Sequence, residues 1–506
     1  MIRRTRFGTV ALAALLLLGS GPAPSDDEAA ALLARHRTYA GWQLGDGTVA
    51  TLRVGRKTFE EPPGGAGRVL LATAAEARIG ALFRDIETIG GTTVETGFTG
   101  NLFWQSNENG FTHQIAGDEQ RFLVSTQLVF NEATTALDGT FKGYRTFAGR
   151  RVGIVRVQVP QSFAIDLYVD PETGAYRRFD VDPGGDNDRA VIVDAYAEPK
   201  PGVRLISQWH YDGSRRSYEY GDFQINAPVD PQELHPPAQT ALWTFGSPVA
   251  IPLEPSKRLA PPRIYFHATV NGTSGRFLLD TGASNILFTK EFADRAGLVA
   301  LGATQTRSIG ATMSTKMARA AGIDVGDDRL QNVIVNVADV PLDADGLMGY
   351  DFFAGAVVVV DFDHSLMRIY DPGANVPRLG KGIIAVVDLA SERPVLPLTV
   401  NRTITMRAML DTGNPFDVLY SPEAVYKYGL VSLRDEKVRP SIGGAEVQEC
   451  GWLDELSFGP IVYQHPAACL SHAFEGRDGL VGLGVLRHFN MIFDYPHSKI
   501  EMQLRE

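Results

Sequence analysis

The chain contains two aspartates, Asp280 and Asp411, that are each followed by Thr-Gly. Each Asp directly follows three apolar residues, which is typical of a strand that runs through a buried core. Two carboxyl groups that share one site cannot easily both ionise, so one proton is retained between them. The ionised member can take a proton from water as a general base, and the protonated member can supply a proton as a general acid. The pair therefore predicts hydrolysis by an activated water, with no metal ion and no cofactor.

The two Asp-Thr-Gly tripeptides belong to a duplicated unit. They lie 131 positions apart, and three further features recur in the same order at nearly the same spacing. These are a Ser-Ile-Gly segment (308–310 and 441–443), a Gly-apolar-apolar-Gly motif (346–349 and 479–482) and a closing pair of strands (357–370 and 491–504). A single Asp-Thr-Gly would indicate only a turn at a strand end. Because two copies are too few for a solenoid, the duplication favours a body of two paired lobes.

The residues beside each Asp have properties that suit two loops meeting face to face. Gly282 and Gly413 have no side chain and permit a close approach of the backbone. Thr281 and Thr412 carry hydroxyl groups that can hydrogen-bond across a pseudo-two-fold axis. Apolar neighbours lower the local dielectric constant and strengthen the coupling between the two carboxyl groups.

The two units resemble the lobes of retropepsin-like aspartic proteases, fused in one chain, over residues 245–506. The resemblance implies a mostly β, bilobal C-terminal fold, with Asp280 and Asp411 as the catalytic dyad and a peptide or protein as substrate. It assigns support of the catalytic loops to Thr281, Gly282, Ala283, Thr412, Gly413 and Asn414. It assigns flap and substrate-binding roles to Ser308, Ile309, Gly310, Ser441, Ile442, Gly443 and Gly444. An ordinary glycine-containing turn is the alternative for each flap segment.

The second lobe departs from the family pattern directly after Asp411-Thr412-Gly413. The family usually has Ala or Ser at the next position, whereas this chain has Asn414 followed by Pro415. Asn414 is large enough to reach a carboxylate or the backbone, and Pro415 fixes the chain and lacks an N–H donor. This departure leaves a second hypothesis open, namely a non-catalytic periplasmic peptide- or lipid-binding protein with a degenerate protease scaffold.

Residues 25–235 are predicted to form an antiparallel β half-barrel domain with little helix. A short helix is predicted at 29–39, and alternating segments predict strands at 98–104, 121–124, 151–159, 163–169, 176–181, 190–196, 203–209 and 217–225. A few motifs, such as Asp170-Pro171-Glu172-Thr173-Gly174, resemble those of half-barrel domains of the outer-membrane-lipoprotein carrier type. The resemblance implies an apolar ligand on the concave sheet. A packing or substrate-presenting domain and a removable pro-segment are the alternatives.

The first 24 residues predict a secretory signal peptide. Arg3, Arg4 and Arg6 form a basic region, and an apolar run at 10–18 and small residues at 19–21 follow it. The run is too short to span a bilayer, so we expect an exported protein, periplasmic or secreted. The predicted organisation is a signal peptide (1–24), an N-terminal domain (25–235), a Pro-containing linker (236–247), protease lobe 1 (248–375) and protease lobe 2 (376–506). A monomer is expected because both lobes are in one chain.

Cys450 and Cys469 are the only cysteines in the sequence. An oxidising compartment favours a disulfide between them. Predicted strands at 452–458 and 461–464 would pair as a hairpin and bring the two cysteines together at its open end. Two buried free thiols are the alternative, since free Cys packs as a small apolar residue.

Composition and motifs exclude several other classes. With 44% apolar and 21% charged residues the chain is typical of globular proteins. The net charge of −11 argues against a nucleic-acid binder, whose domains usually carry a basic surface. No His-Glu-x-x-His, Gly-x-Ser-x-Gly or Walker-type motif occurs, and the ten His show no metal-ligand spacing.

Overall fold

The computed structural model describes residues 27–62, 67–185, 188–255, 263–308, 311–422, 424–425, 435–441, 444–471 and 478–505. The chain divides into two compact units. Unit 1 extends to Pro237 apart from two short segments, and unit 2 comprises Ala238–Glu506 together with those segments, Gly90–Thr92 and Glu108–Phe111. The predicted signal peptide at 1–24 lies outside the described residues. Of the helices that the structure describes, none has the length and apolar character needed to cross a membrane.

Unit 1 is built on one 13-stranded antiparallel sheet, which confirms the prediction of a β-rich N-terminal domain. Its strands are β1 (Thr51–Glu60), β2 (Val69–Ile79), β3 (Leu82–Ile89), β4 (Thr92–Phe98), β5 (Phe103–Ser106), β6 (Thr112–Gln114), β7 (Gly139–Phe147), β8 (Arg150–Val157), β9 (Ile165–Val169), β10 (Tyr176–Val181), β11 (Arg189–Lys200), β12 (Val203–Tyr211) and β13 (Arg216–Ile225). Apart from the β1–β13 pair, every pairing joins two strands that are consecutive in sequence, and β6 and β7 form the two edges of the sheet. The helices are α1 (Asp27–Ala40) and α2 (Gly117–Phe130), with short 3-10 helices at Thr134–Ala136 and Pro231–Leu234.

The main core of unit 1 lies between its two helices and strands β8–β12. Helix α1 buries Leu32 and Leu33 against this part of the sheet. Val155 and Val157 of β8 belong to the same apolar cluster, and they occupy alternate positions because alternate residues of a strand share one face. The sheet therefore presents one apolar face to the helices.

The strand predicted at 121–124 is wrong, because this segment lies inside α2. Aromatic and β-branched residues suggested a strand locally. The buried residues of α2, however, recur at the three- and four-residue spacing of a helix face. They are Phe122, Ser125, Thr126, Leu128 and Val129.

The strand predicted at 98–104 is also wrong, because the segment forms a hairpin rather than one strand. β4 ends at Phe98 and β5 begins at Phe103. The N–H of Thr99 donates to the carbonyl of Leu102 at 3.1 Å and closes the turn. Gly and Asn occupy the two intervening positions, and both are common turn residues.

Unit 2 contains three sheets, two for the lobes and one shared. The lobe 1 sheet consists of β14 (Leu242–Thr244), β16 (Glu254–Pro255), β17 (Ile264–Val270), β18 (Thr273–Leu279), β19 (Leu287–Thr289), β20 (Val299–Ser308), β21 (Ala311–Val325), β22 (Asp328–Ala338) and β23 (Gly346–Met348). The lobe 2 sheet consists of β27 (Val395–Val400), β28 (Ile404–Asp411), β29 (Val418–Tyr420), β30 (Asp435–Ser441), β31 (Gly444–Trp452), β32 (Glu455–Phe458), β33 (Ile461–Gln464), β34 (Ala467–Leu470) and β35 (Gly479–Gly482).

The shared sheet joins the two lobes. Its strands are β15 (Ile251–Pro252), β24 (Val357–Asp361), β25 (Leu366–Tyr370), β26 (Ile383–Val386), β36 (Phe489–Asp494) and β37 (Lys499–Leu504). The strand pairs that close the two repeated units become neighbours here, because β24 pairs with β36 in antiparallel register. Short helices α3 (Lys290–Arg295), α4 (Tyr350–Phe353) and α5 (Leu483–Leu486) and a 3-10 helix at Tyr495–His497 complete unit 2. The predicted bilobal β fold from a duplication is confirmed.

Glu108–Phe111, a segment of the N-terminal half of the sequence, belongs to unit 2. Asn109 Nδ2 donates to the carbonyl of Ile334 at 3.0 Å, and Asn109 Oδ1 accepts from the N–H of Ile334 at 2.6 Å. The carbonyl of Asn109 accepts from the N–H groups of Thr240 and Ala241. Phe111 is 3% exposed and lies in the apolar core of unit 2. Unit 2 therefore depends on residues far upstream of its own first strand.

Asn109→Ala is expected to lower the free energy of unfolding of the full chain by about 2–3 kcal/mol, because both backbone groups of Ile334 lose their partner in a buried site. Asn101→Ala, in an exposed turn of unit 1, is the matched control and is expected to stay within about 0.5 kcal/mol of the wild type. Denaturant unfolding of the three proteins measures the difference. Equal midpoints for both variants would contradict the structural role of Asn109.

Candidate active site

Two buried strands deliver Asp280 and Asp411 to one place. β18 ends directly before Asp280 and pairs in parallel with β23, while β28 ends at Asp411 and pairs in parallel with β35. The residues that precede each Asp are buried on both faces of their strand, as parallel pairing between covered layers requires. The N–H of Asp280 donates to the carbonyl of Met348 at 3.1 Å, which ties the first loop to β23. Each Asp therefore lies at the end of a rigid strand rather than within a free loop.

Thr281 and Thr412 connect the two loops by reciprocal hydrogen bonds. The N–H of Thr281 donates to Thr412 Oγ1 at 3.1 Å, and the N–H of Thr412 donates to Thr281 Oγ1 at 3.0 Å. Each hydroxyl also donates across the lobes, from Thr281 to the carbonyl of Leu410 and from Thr412 to the carbonyl of Leu279, both at 2.8 Å. Both threonines are 1% exposed, so water does not compete for these bonds.

The carboxyl groups of Asp280 and Asp411 are hydrogen-bonded to each other. Their side chains lie in a nearly closed site, since the two residues are 7% and 6% exposed. A Cβ atom at Gly282 would stand 2.4 Å from Cγ of Asp411, and one at Gly413 would stand 2.3 Å from Cγ of Asp280. Glycine is therefore required at both positions by the contact between the loops.

Backbone amides hold the two carboxyl groups unequally. The N–H of Gly282 donates to Asp280 Oδ1 at 3.0 Å. Asp411 Oδ1 accepts two such bonds, from the N–H of Gly413 at 2.9 Å and from the N–H of Asn414 at 3.0 Å. The site is thus a symmetric pair of loops with one additional donor in lobe 2.

The electrostatics of the pair favour one retained proton. Burial raises the pKa of Asp411 to about 8, and the charge of Asp280 adds to this rise. Burial also raises the pKa of Asp280, but the N–H of Gly282 and the charges of Arg263 and Arg393 oppose that rise. We assign the shared proton to Asp411, because the charge of Asp280 raises the pKa of Asp411, whereas the charge of Arg263 and the hydrogen bond from Asp411 favour the anion at Asp280. The two groups titrate as a pair.

Arg263 and Arg393 were missed by the reasoning from sequence. Arg393 Nε donates to the carbonyl of Gly282 at 2.7 Å, so a lobe 2 side chain supports the lobe 1 catalytic loop. Burial is the main cause that lowers the pKa of the Arg393 guanidinium, against the charges of Glu392 and of both dyad aspartates. A signal was present in the repeat, since an arginine stands just before an apolar strand in each lobe, Arg263 before β17 and Arg393 before β27.

Asn414, the departure in lobe 2, supports the catalytic loop. Its N–H contacts Asp411, as described above, and its side-chain Oδ1 accepts from the N–H of Phe416 at 2.9 Å. Its carbonyl accepts from the N–H of Leu483 at 2.7 Å. Ala283, the residue at the matching position of lobe 1, accepts in the same way from the N–H of Tyr350 at 2.9 Å. The larger residue therefore preserves the loop contacts of its counterpart.

Glu108 is a third residue near this site that no sequence pattern predicted. Its Oε1 accepts from Asn285 Nδ2 at 2.8 Å, and Asn285 Oδ1 accepts from Asn336 Nδ2 at 3.2 Å. Asn285 lies shortly after the Asp280 loop in the sequence, so these two hydrogen bonds hold the segment that follows the loop. Burial raises the pKa of the Glu108 carboxyl group. Glu108 and Asn285 are 177 positions apart, and no local sequence pattern predicts a contact over that distance.

The two predicted flap segments lie at the ends of β-hairpins. Ser308 pairs with Ala311 at the end of β20–β21, and Ser441 pairs with Gly444 at the end of β30–β31. The hairpins thus occupy matching places in the two lobes. The predicted flap residues Ile309, Gly310, Ile442 and Gly443 lie outside the described residues. A flap role for these segments stays a prediction.

Cys450 and Cys469 are joined by a disulfide in the structure. They lie directly opposite each other on β31 and β34, with their Cα atoms 4.0 Å apart. β31 is also a strand of the lobe 2 hairpin, so the disulfide fixes the base of that hairpin to the sheet. Within the described ranges, no group of three or more His, Cys, Asp or Glu side chains is arranged to hold a metal ion.

A family model described as "Aspartyl protease" matches residues 266–352, a span that includes Asp280 and most of lobe 1. This match confirms the predicted resemblance to aspartic proteases. No curated protein matches the chain.

Three solved structures are similar to parts of the chain. A retropepsin-like aspartic protease from Rickettsia conorii is 17% identical, with a TM-score of 0.21, over 24% of this chain and 89% of that one. A DUF1329 family protein from Desulfovibrio piger is 10% identical, with a TM-score of 0.32, over 42% and 98% of the two chains. A domain described as outer membrane lipoprotein-sorting, from Vibrio parahaemolyticus, is 8% identical, with a TM-score of 0.29, over 40% and 95%. At these scores the three likenesses indicate nothing about activity. The chain carries an aspartyl protease-like domain.

Proposed function

We propose that this protein is an exported aspartic endopeptidase that hydrolyses peptide bonds with water activated between Asp280 and Asp411. One observation carries the proposal: two buried carboxyl groups, one from each lobe, are hydrogen-bonded to each other. Apposed buried carboxyl groups are costly to ionise together, and a purely structural role would be served better by apolar residues. The cost is offset by reciprocal threonine bonds that hold both loops in place.

The unequal environments of the dyad suggest a role for each carboxyl group. Asp280, kept anionic by the nearby arginine charges, takes a proton from the attacking water. The resulting hydroxide adds to the carbonyl carbon of the substrate while protonated Asp411 hydrogen-bonds to the carbonyl oxygen. The C–N bond then breaks, and the proton that Asp280 took from water passes to the leaving amine nitrogen. The pair is left with one proton, as at the start. Water, both protons and both fragments are accounted for without a cofactor.

The substrate, oligomeric state and location of the protein follow from the same proposal. A peptide or protein segment would lie in extended form between the dyad and the two hairpins, because β-hairpins can bind an extended chain by backbone hydrogen bonds. A monomer suffices because both aspartates belong to one chain. Export is supported by the basic and apolar segments at the start of the sequence and by the disulfide, since disulfides persist in oxidising compartments. An apolar ligand of unit 1 remains a proposal from resemblance.

The non-catalytic alternative rested on Asn414 and Pro415, and no contact at these residues favours it. Asn414 keeps the loop bonds that Ala283 makes in lobe 1, and both catalytic glycines are present. The peptidase proposal is therefore the one to test first.

Asp280→Asn and Asp411→Asn should each reduce peptide turnover to less than about a tenth of the wild-type rate, a loss above about 1.4 kcal/mol in transition-state stabilisation, because the two carboxyl groups act as one unit. Asp327→Asn, an exposed aspartate of lobe 1, is the matched control and should retain full activity. The measurement is the kcat of the full-length proteins on a mixed peptide library. A dyad variant that kept most of its turnover would rule out the shared mechanism.

Peptidase activity should persist at neutral pH and fall as the pH rises through about 8, where Asp411 loses its proton. The sign follows from the raised pKa: below it the pair holds the single proton that catalysis needs, and above it both carboxyl groups are ionised and no acid remains. The measurement is a profile of kcat/KM from pH 4 to 10, with the melting temperature recorded at each pH as a control for folding. Activity confined to pH values below about 6 would contradict this assignment.

A further inference from the structure

Arg263 carries an inference that rests on the proposed function and names a substrate class for it. We propose that Arg263 binds a carboxylate of the substrate next to the scissile bond, so that the preferred substrates are peptides that carry a negative charge there. The carboxylate has two sources, an acidic side chain within the peptide or a free C-terminal carboxylate. Both present the same planar anion to a guanidinium group.

The strand register places Arg263 beside the dyad. Tyr265 of β17 lies opposite Leu278 of β18 in antiparallel register. The pairing ends there, and extrapolating its register by two residues aligns Arg263 with Asp280. Directly opposite residues of an antiparallel pair are close neighbours on one face. Consistent with this position, the positive charge of Arg263 acts on the Asp280 carboxyl group.

Lobe 2 holds an arginine at the matching position. Val395 of β27 lies opposite Met409 of β28, and the same extension brings Arg393 opposite Asp411. The N–H of Leu410 donates to the carbonyl of Pro394 at 2.9 Å, so the pairing extends beyond the strand end. The two lobes therefore place one arginine each beside the dyad, which makes Arg393 the natural comparison for Arg263.

The two arginines differ in what they contact. Arg393 is engaged, because its Nε donates to the carbonyl of Gly282 and the charge of Glu392 lies nearby. Arg263 Nε is buried, and it has no hydrogen-bond partner among the residues that the structure describes. A buried donor without a hydrogen bond destabilises the folded protein, and a ligand that accepts a hydrogen bond from it removes this destabilisation. Arg263 is thus the arginine of the pair that is available to a ligand.

Three other arginines of lobe 1 are paired with carboxylates, and Arg319 donates to Asn332 instead. Arg276 contacts Glu254 at 3.5 Å, Arg295 contacts Asp345 at 2.6 Å and Arg329 contacts Asp324 at 2.6 Å. Among the residues that the structure describes, Arg263 has no such ion pair. The planar fork of donors on a guanidinium matches the two oxygens of a carboxylate, which makes a carboxylate the ligand that suits Arg263 best.

The first test compares matched peptides on the full-length protein. Each pair differs only in Glu versus Gln, or Asp versus Asn, at one position near the scissile bond, and every peptide is made with an amidated and with a free C-terminus. The wild type should cleave the acidic member with a kcat/KM at least about tenfold higher. A preference that survives amidation identifies the side chain, and one that depends on the free terminus identifies the terminal carboxylate.

The variants assign the preference to one residue. Arg263→Gln should lose the preference for the acidic member, and Arg263→Glu should prefer a Lys-containing peptide instead. Arg329→Gln, which removes an exposed arginine of the same lobe, is the control and should keep the wild-type preference. Equal kcat/KM for both members of every pair in the wild type would overturn the proposal, and so would an unchanged preference in Arg263→Gln.

A measurement of peptide binding tests this proposal independently of the proposed catalytic function. Full-length Asp411→Asn, which should not turn over, is titrated with fluorescently labelled acidic and amide peptides, and Kd is measured by anisotropy. Tighter binding of the acidic member by at least about tenfold supports the site even if the wild type cleaves nothing. Equal Kd values overturn it even if the wild type is an active peptidase. If Arg263→Gln fails to fold, the Kd values of the matched peptides for Asp411→Asn still show whether the protein prefers the acidic member.

Discussion

The reciprocal hydrogen bonds between Thr281 and Thr412 are the constraint on which the active-site region depends. Each threonine donates to and accepts from the opposite lobe, so neither loop can shift without breaking bonds in a site that excludes water. This arrangement allows two carboxyl groups to stay buried side by side, which would otherwise favour separation of the lobes. The shared sheet, with β24 against β36, maintains the same relation between the lobes at a greater distance from the dyad.

Much of this arrangement was predictable from the sequence, because it follows from a short residue pattern that occurs twice in the chain. The repeat around Asp280 and Asp411 predicted the two lobes, the meeting of the loops and the threonine contacts, since each follows from a short pattern of residues. The missed strands of unit 1 had weaker patterns. β1–β3 carry charged residues at buried or half-buried positions, such as Glu76 and Arg78, which hides the alternation that reveals a strand. In α2 the residue types favoured a strand, whereas the spacing of the buried residues follows a helix face.

The remaining site residues could not be found by pattern because their partners are distant in sequence. Arg393 contacts Gly282 across the pseudo-two-fold axis, and Glu108 contacts Asn285 from the opposite half of the chain. Such pairs depend on tertiary packing, and an isolated Arg or Glu in a sequence is most often a surface residue. The duplication nevertheless supplied a usable hint, because both copies have an arginine at the matching position, Arg263 and Arg393.

The inclusion of Glu108–Phe111 in unit 2 has a consequence for how the protein matures. A zymogen-type activation that released residues 25–235 would also remove the side chain of Phe111 from an apolar core and the partner of Ile334 from a β-strand. It would also take Glu108 away from Asn285, directly behind the Asp280 loop. Removal of the N-terminal half would therefore take part of unit 2 with it. After a proteolytic cut in the Pro-rich segment, Glu108–Phe111 would belong to the N-terminal fragment, although their contacts lie in unit 2.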